Sequence, residues 1–473
     1  MNKHMISRRR FLGAAAASTA YSLMPSRAYG ANERVNLGII GLGDRGGAHM
    51  LTFSQIREVE VIAASDADEK RMGKGGEKAA KHQDLRKLLE IKDVDAVVIA
   101  APDHWHCLAA IMAFQAGKHA YVEKPVSHCI WEGRRMVEAA RKYKRIVQAG
   151  TQQRSCPAVQ QCAKDIQSGM YGNVQWVHCS RLDTRKQIGK VTGAQPVPEG
   201  VDYNLWAGPS PMSPIMRTNF HYDWHWQWNW GTGEMGNWGV HYLDDLRHLL
   251  GWNDVPNNVM AAGNRWWDDD GETPNMHLAL MEHQGVKVVI DVRNMAGDSS
   301  GSKCPEYLGG NGGNYIKCEN GFVRISRGKG KGFDKDGKEV KEYKGTGGAG
   351  HYFNFIKALR EDSSAVLACE IEVGHLSTTL CHMANIGFRV GKAAPVEELR
   401  ENVKGNEDAT NTLQAMVEQL GANQADLKAK PFVVGPRLSY DTKAETFTGA
   451  HAEDANKFVR IPGRDPFNVP ESV

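Results

Sequence analysis

The sequence predicts an α/β protein of two parts: a doubly wound parallel sheet first, then an α/β domain whose sheet is open and mostly antiparallel. Three observations carry that expectation. At 473 residues the chain is too long for one ordinary core. Its first third alternates short apolar strands with helical stretches, the rhythm of βαβ units. Its middle runs strand after strand without helices between them, which suits antiparallel pairing. With 41% hydrophobic and 24% charged residues, the composition is globular.

Residues 1–30 stand apart. Ser7-Arg8-Arg9-Arg10-Phe11-Leu12 is a charged start, Gly13 to Leu23 is short and weakly apolar, and Ser26-Arg27-Ala28 offers a small-x-small cleavage site after Pro25. The pattern resembles a twin-arginine export signal with Arg8 and Arg9 as the pair. It implies the translocase as a partner during export and a periplasmic or otherwise exported product. Five basic residues and no acid lie in residues 1–28, so setting them aside turns the formal +3 into −2. That leaves no electrostatic footprint for nucleic acid. No apolar run reaches spanning length, so stable membrane insertion is not expected. Nine cysteines, odd in number and without paired C-x-x-C spacing, argue against a disulfide framework and a structural zinc site.

Residues 31–150 form the first domain. Arg34 to Ile40 is a β-rich run, and Gly41-Leu-Gly43-Asp44-Arg45-Gly46 follows at once, placing G-x-G-x-x-G between a strand and a helix. Gly41 permits the tight turn, Gly43 lets backbone approach a pyrophosphate, and Gly46 allows close helix–strand packing. A second strand, Val59 to Ser65, ends at Asp66, where a carboxylate bonds ribose hydroxyls and disfavours a 2′-phosphate; Arg71 nearby weakens that preference. Asp93 to Ala100 is the next strand, and Pro102-Asp-His-Trp-His106 leaves its carboxyl end, where ligands of such sheets bind. A helix from Leu108 ends at Gly117. His119 to Pro125 ends in Glu123-Lys124-Pro125; Pro125 stops the ladder and projects the Lys124 ammonium, unless Lys124 merely pairs with Glu123. A helix over Ile130–Tyr143 and a strand over Arg145–Gly150 complete the domain. Thr151-Gln152-Gln-Arg154-Ser155 then begins the crossover, as sugar-facing polar groups or a simple hinge.

Residues 151–473 form the second domain. Strands are expected at Val174–Ser180, Met276–Met281 and Val286–Val292, with a hairpin about Asn320-Gly321. Tyr203 to Trp230 is an insertion rich in tryptophan and histidine, including Trp206, Trp224 and His225. It reads as a carbohydrate platform or as a packed loop. A Gly-rich turn leads into Asn237-Trp-Gly-Val-His241-Tyr-Leu-Asp244 and a helix to about Leu250. Its stripe Val240, Leu243, Leu246, Leu250 is apolar, while His241, Asp244 and His248 share an adjacent face. An imidazole beside a carboxylate on a rigid element suits proton transfer; the bland alternative is a core histidine. Gly328–Gly350, rich in glycine and lysine, reads as a hairpin or lid. Helices are expected over His351–Arg360 and Glu372–Lys392. Beyond Pro395 the signal fades, with Pro431–Pro436 as a final strand.

Glu123-Lys124-Pro125 after a dinucleotide fold, with G-x-H-x-x-D downstream, resembles the Gfo/Idh/MocA family from about Val35 to Lys392. The resemblance implies a Rossmann domain joined to a sheet domain that often builds homo-oligomers. It also implies NAD or NADP as cofactor and hydride transfer to or from sugars, inositols and related polyols. By that resemblance Lys124 and His241 are catalytic, Asp244 contacts substrate, and Asn237 stands where most dehydrogenases of the family carry aspartate. Cofactor contacts are expected from Gly41, Gly43, Asp44, Arg45, Gly46, Asp66, Pro102, His106, Glu123 and Lys124. Substrate contacts are expected from Gln152, Arg154, Trp206, Trp224, His225 and Asp244. No metal is expected. The expected chemistry is oxidation of a secondary alcohol on tightly held NAD, with Lys124 of lowered pKa because Asn237 brings no charge. The alternatives are a redox-neutral, NAD-dependent glycosidase and a sugar-binding module without catalysis.

Overall fold

The computed structural model describes residues 34–473, so the export-signal reading lies outside the described residues. Six strands form the first sheet, all parallel: β1 (Val35–Ile40), β2 (Val59–Ser65), β3 (Ala80–His82), β4 (Ala96–Ile99), β5 (His119–Val122) and β6 (Val147–Ala149). Their order, β3-β2-β1-β4-β5-β6, reverses between β1 and β4 and so opens a crevice at those carboxyl ends. Leu37 and Ile39 pack on one side with Phe53, and Val97 and Ile99 on the other with Ala110 and Ile111. Burial on both faces is what a parallel sheet between helices requires.

Part of that cover comes from far along the chain. The helix Gly350–Arg360 lays Tyr352, Phe355 and Ile356 against the Leu37 face. The Ala149 N–H donates to the Cys369 carbonyl at 2.9 Å, and Phe467 meets the Trp105 ring edge-on at 5.5 Å.

The second sheet runs through β7 (Val174–Leu182), β8 (Asn258–Asn264), β9 (Met276–His283), β10 (Val286–Arg293), β11 (Gly312–Cys318), β12 (Gly321–Ser326), β13 (Lys329–Asp334), β14 (Glu339–Lys344), β15 (Lys392–Ala394) and β16 (Phe432–Val434). Its order is β14-β13-β12-β11-β7-β10-β9-β8-β16-β15, antiparallel throughout except for β7 beside β10. The expected hairpin is β11–β12, and the glycine- and lysine-rich stretch is the hairpin β13–β14 at the sheet edge. Pro431–Pro436 does supply β16, but β17 (Leu438–Asp441) and β18 (Thr446–Thr448) follow it. Where the sequence signal fades, helices form at Val396–Val403 and Glu407–Ala422. Leu399, Leu413, Met416 and Leu420 bury one sheet face at Met260, Leu278 and Val289. On the opposite face, Val288, Ile290 and Ile316 share a core with Leu243, Leu246 and Leu380.

The helix bearing His241 runs Val240–Leu250 and ends at Gly251, whose φ of 70° supplies the left-handed cap. It is entered through one π-helical turn, Met235–Gly239, rather than beginning as α-helix at Asn237. Such wide turns recur where a helix must present groups to a site.

Candidate active site

A cavity of about 410 Å³ lies along the carboxyl ends of β1, β2, β4 and β5. Gly41 (φ 86°) lies so close to the β4 end that a β-carbon would sit 2.7 Å from the Ala100 backbone. At Gly46 a β-carbon would come within 1.8 Å of the Gly41 carbonyl, so the loop folds onto its helix only with glycine there. No side chain caps the following helix, Asp44–Ser54, which leaves its first N–H groups for an anion. Asp66 pins this loop: its carboxylate accepts the Leu42 N–H at 2.6 Å and the Asp68 N–H at 2.9 Å. Burial nonetheless raises its pKa. The cradle and its donors fit a dinucleotide diphosphate.

Glu123, just past β5, is a buried hub. It accepts from Arg45 Nε at 2.7 Å and from Gln152 Nε2 at 3.1 Å, with His49 Nε2 at 2.9 Å. Although burial opposes ionisation, Arg45 and His49 hold its carboxyl well below the usual range. His106 spans from the Ala101 carbonyl (2.8 Å) to the Pro125 carbonyl (2.6 Å), tying the β4 loop to the β5 loop.

Lys124 does not pair with the Glu123 carboxylate through its side chain. Its Nζ donates to the Asn237 backbone carbonyl at 2.8 Å and to Asn237 Oδ1 at 3.3 Å. Burial lowers its pKa. The Asn237 amide in turn donates to Glu234 Oε2 at 3.2 Å. Glu234, which sequence reasoning missed, is 2% exposed and receives Arg181 and Arg185. Its only sequence signal was an acid one turn before Asn237.

The structure brings Gly41, Gly43, Asp44, Arg45, Asp66, Pro102, His106, Glu123, Lys124, Trp206, Trp224, His225 and Asn237 onto the cavity wall. It places the others behind it. Gln152 donates to the Tyr121 hydroxyl and Glu123, bracing the hub. Arg154 Nε lies 2.9 Å from both Asp244 oxygens, and Ser377 Oγ donates to Asp244 at 2.7 Å. Arg154 and Asp244 are thus each other's partners rather than wall residues, because the charge of each is satisfied internally. His241 is buried, its ring 5.7 Å from that of Trp238, and Nδ1 has no hydrogen-bond partner among the described residues. Burial, then Arg327 and Lys124, hold its pKa well below the usual value. His248, facing Arg154, is lowered to about 4, mainly by burial.

A family model described as "Oxidoreductase family, NAD-binding Rossmann fold" matches residues 35–151, and its companion, "Oxidoreductase family, C-terminal alpha/beta domain", matches residues 157–421. This chain belongs to the Gfo/Idh/MocA oxidoreductase family. Inositol 2-dehydrogenase 1 of Saccharopolyspora erythraea is 32% identical over 157 residues, 32% of this chain and 47% of that one. An alpha-N-acetylgalactosaminidase of Shewanella oneidensis is 31% identical over 173 residues, 29% of this chain and 38% of that one. The chain therefore matches less than half the length of either curated relative. Among solved structures, the WlbA dehydrogenase of Bordetella pertussis, in complex with NADH and UDP-GlcNAcA, has a TM-score of 0.57 at 22% identity, covering 75% of this chain and 97% of that one. That likeness is one of fold.

Within this Gfo/Idh/MocA chain, the aromatic insertion folds across the cofactor crevice as a strap. Glu69 N–H donates to the Gly200 carbonyl at 3.0 Å, and Asp202 N–H to the Ala67 carbonyl at 2.9 Å. The Trp105 indole donates to the Leu205 carbonyl at 3.0 Å, and His221 Nε2 lies 2.9 Å from Asp68. Trp206 packs with Phe220 and Trp230 under the Arg217 guanidinium, so of the two readings of the insertion the packed one describes most of it, with one side on the cavity. Trp224 stacks on His225 at 3.6 Å between ring centres. His221 and Tyr222 join the wall unforeseen.

Proposed function

We propose that this protein is a nicotinamide-dependent oxidoreductase acting on a secondary hydroxyl or ketone of a sugar, polyol or glycoside. One observation carries the reading: the glycine loop, Asp66, Lys124, Asn237 and the aromatic strap all line a single cavity. Gly41, Gly43 and the N–H groups opening the helix Asp44–Ser54 would hold the pyrophosphate, and Asp66 the ribose. When bound, the nicotinamide supplies a two-electron acceptor or donor beside the substrate carbon. Lys124 Nζ donates to the substrate oxygen and stabilises negative charge developing there. His241, kept neutral by burial, lies behind the wall with Nδ1 unpartnered among the described residues and would take the hydroxyl proton once bound substrate brings it within reach. The Arg154–Asp244 pair fixes the helix that carries His241.

Finer points belong to the same proposal. Asp66 favours NAD over NADP, with Arg71 beside Gly43 as the counterweight. The strap, hydrogen-bonded on both sides of the glycine loop, keeps the cofactor tightly bound. Export by the twin-arginine route rests on the leader sequence. A homo-oligomer is supported by the half-buried ladder Trp176, Tyr315, Phe322 and Phe333 across one face of the second sheet. A redox-neutral glycosidase is the second reading, favoured by the strap and by the relative named as an alpha-N-acetylgalactosaminidase. The test begins with the purified protein and the near-ultraviolet band of reduced nicotinamide. A sugar or glycoside that raises the band supports the dehydrogenase. A chromogenic glycoside cleaved without added cofactor and without net reduction supports the second reading. No response to either class overturns both.

A further inference from the structure

The cavity lysine is held by a neutral residue, and the reason lies one turn upstream. An ammonium only donates, and two of the Lys124 hydrogens go to the backbone and side-chain oxygens of Asn237. An amide has an accepting and a donating end, and either can turn toward a neighbour. Here the donating end meets Glu234 Oε2 at 3.2 Å, so only one orientation avoids setting N–H against N–H. Glu234 cannot swing away, because Arg185 Nη2 at 3.0 Å and Arg181 Nε at 3.3 Å grip its Oε1. Arg185 also donates to the Tyr222 hydroxyl at 3.2 Å, linking this group to the strap. Among the described residues no carboxylate is in ion-pair contact with the Lys124 ammonium; Glu123 and Asp103 face it as acids and Arg45 as a cation, and Glu234 is the acid joined to the ammonium itself through side-chain hydrogen bonds.

We propose that Glu234 is a positioning residue for Lys124: through the Asn237 amide it fixes where the ammonium sits and how readily it gives up its proton. The proposal rests on the reading of Lys124 as the group at the reacting oxygen, but its test does not. Reductive methylation of the full chain as a function of pH, followed at the Lys124 peptide by mass spectrometry, reads the free-amine fraction directly. In Glu234→Gln the midpoint falls by about one pH unit, because a negative charge leaves the network and the amide loses its fixed direction. Adding Asn237→Asp to that variant returns the midpoint to the wild-type value or above, since the carboxylate then bears on the ammonium itself. Asn237→Leu, which leaves Glu234 with both arginines, shows the same fall and serves if Glu234→Gln folds poorly.

A midpoint unchanged in a folded Glu234→Gln or Asn237→Leu protein overturns the proposal. So does a double variant that titrates no higher than Glu234→Gln. Turnover adds an independent reading: kcat in Glu234→Gln drops about tenfold with KM nearly constant, as for a group felt only when charge develops on the substrate oxygen. Wild-type protein inert to every sugar would sink the oxidoreductase reading while leaving the methylation result to decide the role of Glu234.

Discussion

Lys124, half-buried on the cavity wall, and Arg154, buried behind it, are cations just past neighbouring strands of the first sheet, and both reach toward the segment from Asn237 to Asp244. Arg154 meets a carboxylate and is neutralised, with Asp244 bonded further by Ser377. Lys124 meets an amide and donates to two neutral oxygens, with no carboxylate paired to its ammonium among the described residues. The contrast separates scaffold from chemistry. A cation matched by a buried carboxylate locks two elements together, whereas one matched by neutral acceptors on a cavity wall holds a proton it can exchange.

Breaking the second half of the contrast has the largest effect. Lys124→Met should lower hydride transfer by about 10³-fold while leaving cofactor binding and the melting temperature unchanged. Turnover retained in that variant would erase the distinction. The scaffold half answers in stability: Asp244→Asn leaves the Arg154 guanidinium buried without a charge partner. Urea unfolding should then report a loss of about 3–5 kcal/mol. A loss under about 1 kcal/mol would make the pair incidental.

How much of this the sequence foretold depends on how far apart the partners lie. The glycine loop, Asp66 and Lys124 were readable because each sits at the end of an apolar run, where strand geometry alone places it. Arg154 and Asp244 are 90 residues apart, so their mutual neutralisation was invisible, and both were read as substrate contacts. Glu234 escaped notice because its role needs the π-helical turn and two arginines from around the end of β7. The helices after Pro395 did carry a signal, since Leu413, Met416 and Leu420 recur at spacings of three and four. It went unread because Ala409, Thr412 and Gln419 fill the same buried face with small or polar groups.

Acid should unfold the protein through its buried histidines. His104, His128 and His382 are each held near 3, mainly by burial. Unfolded, they would bind protons below the usual 6.5, so stability present above that pH is lost as pH falls from 6.5 toward 3. Each contributes up to about 1.4 kcal/mol per pH unit within that window. Glu132, raised to about 7 by burial, acts oppositely, its contribution being lost as pH rises from 4.5 to 7. Asp103 and Asp245 are raised as well, but the lowered histidines, His248, His277 and His351 among them, outnumber the raised carboxyls, so the net slope is positive and the melting temperature should drop steadily below pH 6.5. A flat profile would contradict the burial that sets these groups apart from the cavity lysine.

The smallest expected effect is on cofactor choice. Asp66→Ser should shift the affinity ratio of NAD to NADP toward NADP by about tenfold, on the order of 1.4 kcal/mol, as read from cofactor titration.

The central claim is that this cavity passes a hydride between a sugar carbon and the nicotinamide under the control of Lys124. Sugars and glycosides carrying deuterium at a secondary carbinol carbon test it directly, with mass spectrometry of the cofactor recovered from the protein. Deuterium is expected on the nicotinamide ring in the wild type, none in Lys124→Met, and clear transfer in folded Asp244→Asn. Label appearing equally in Lys124→Met, or in no protein with any substrate, would contradict it.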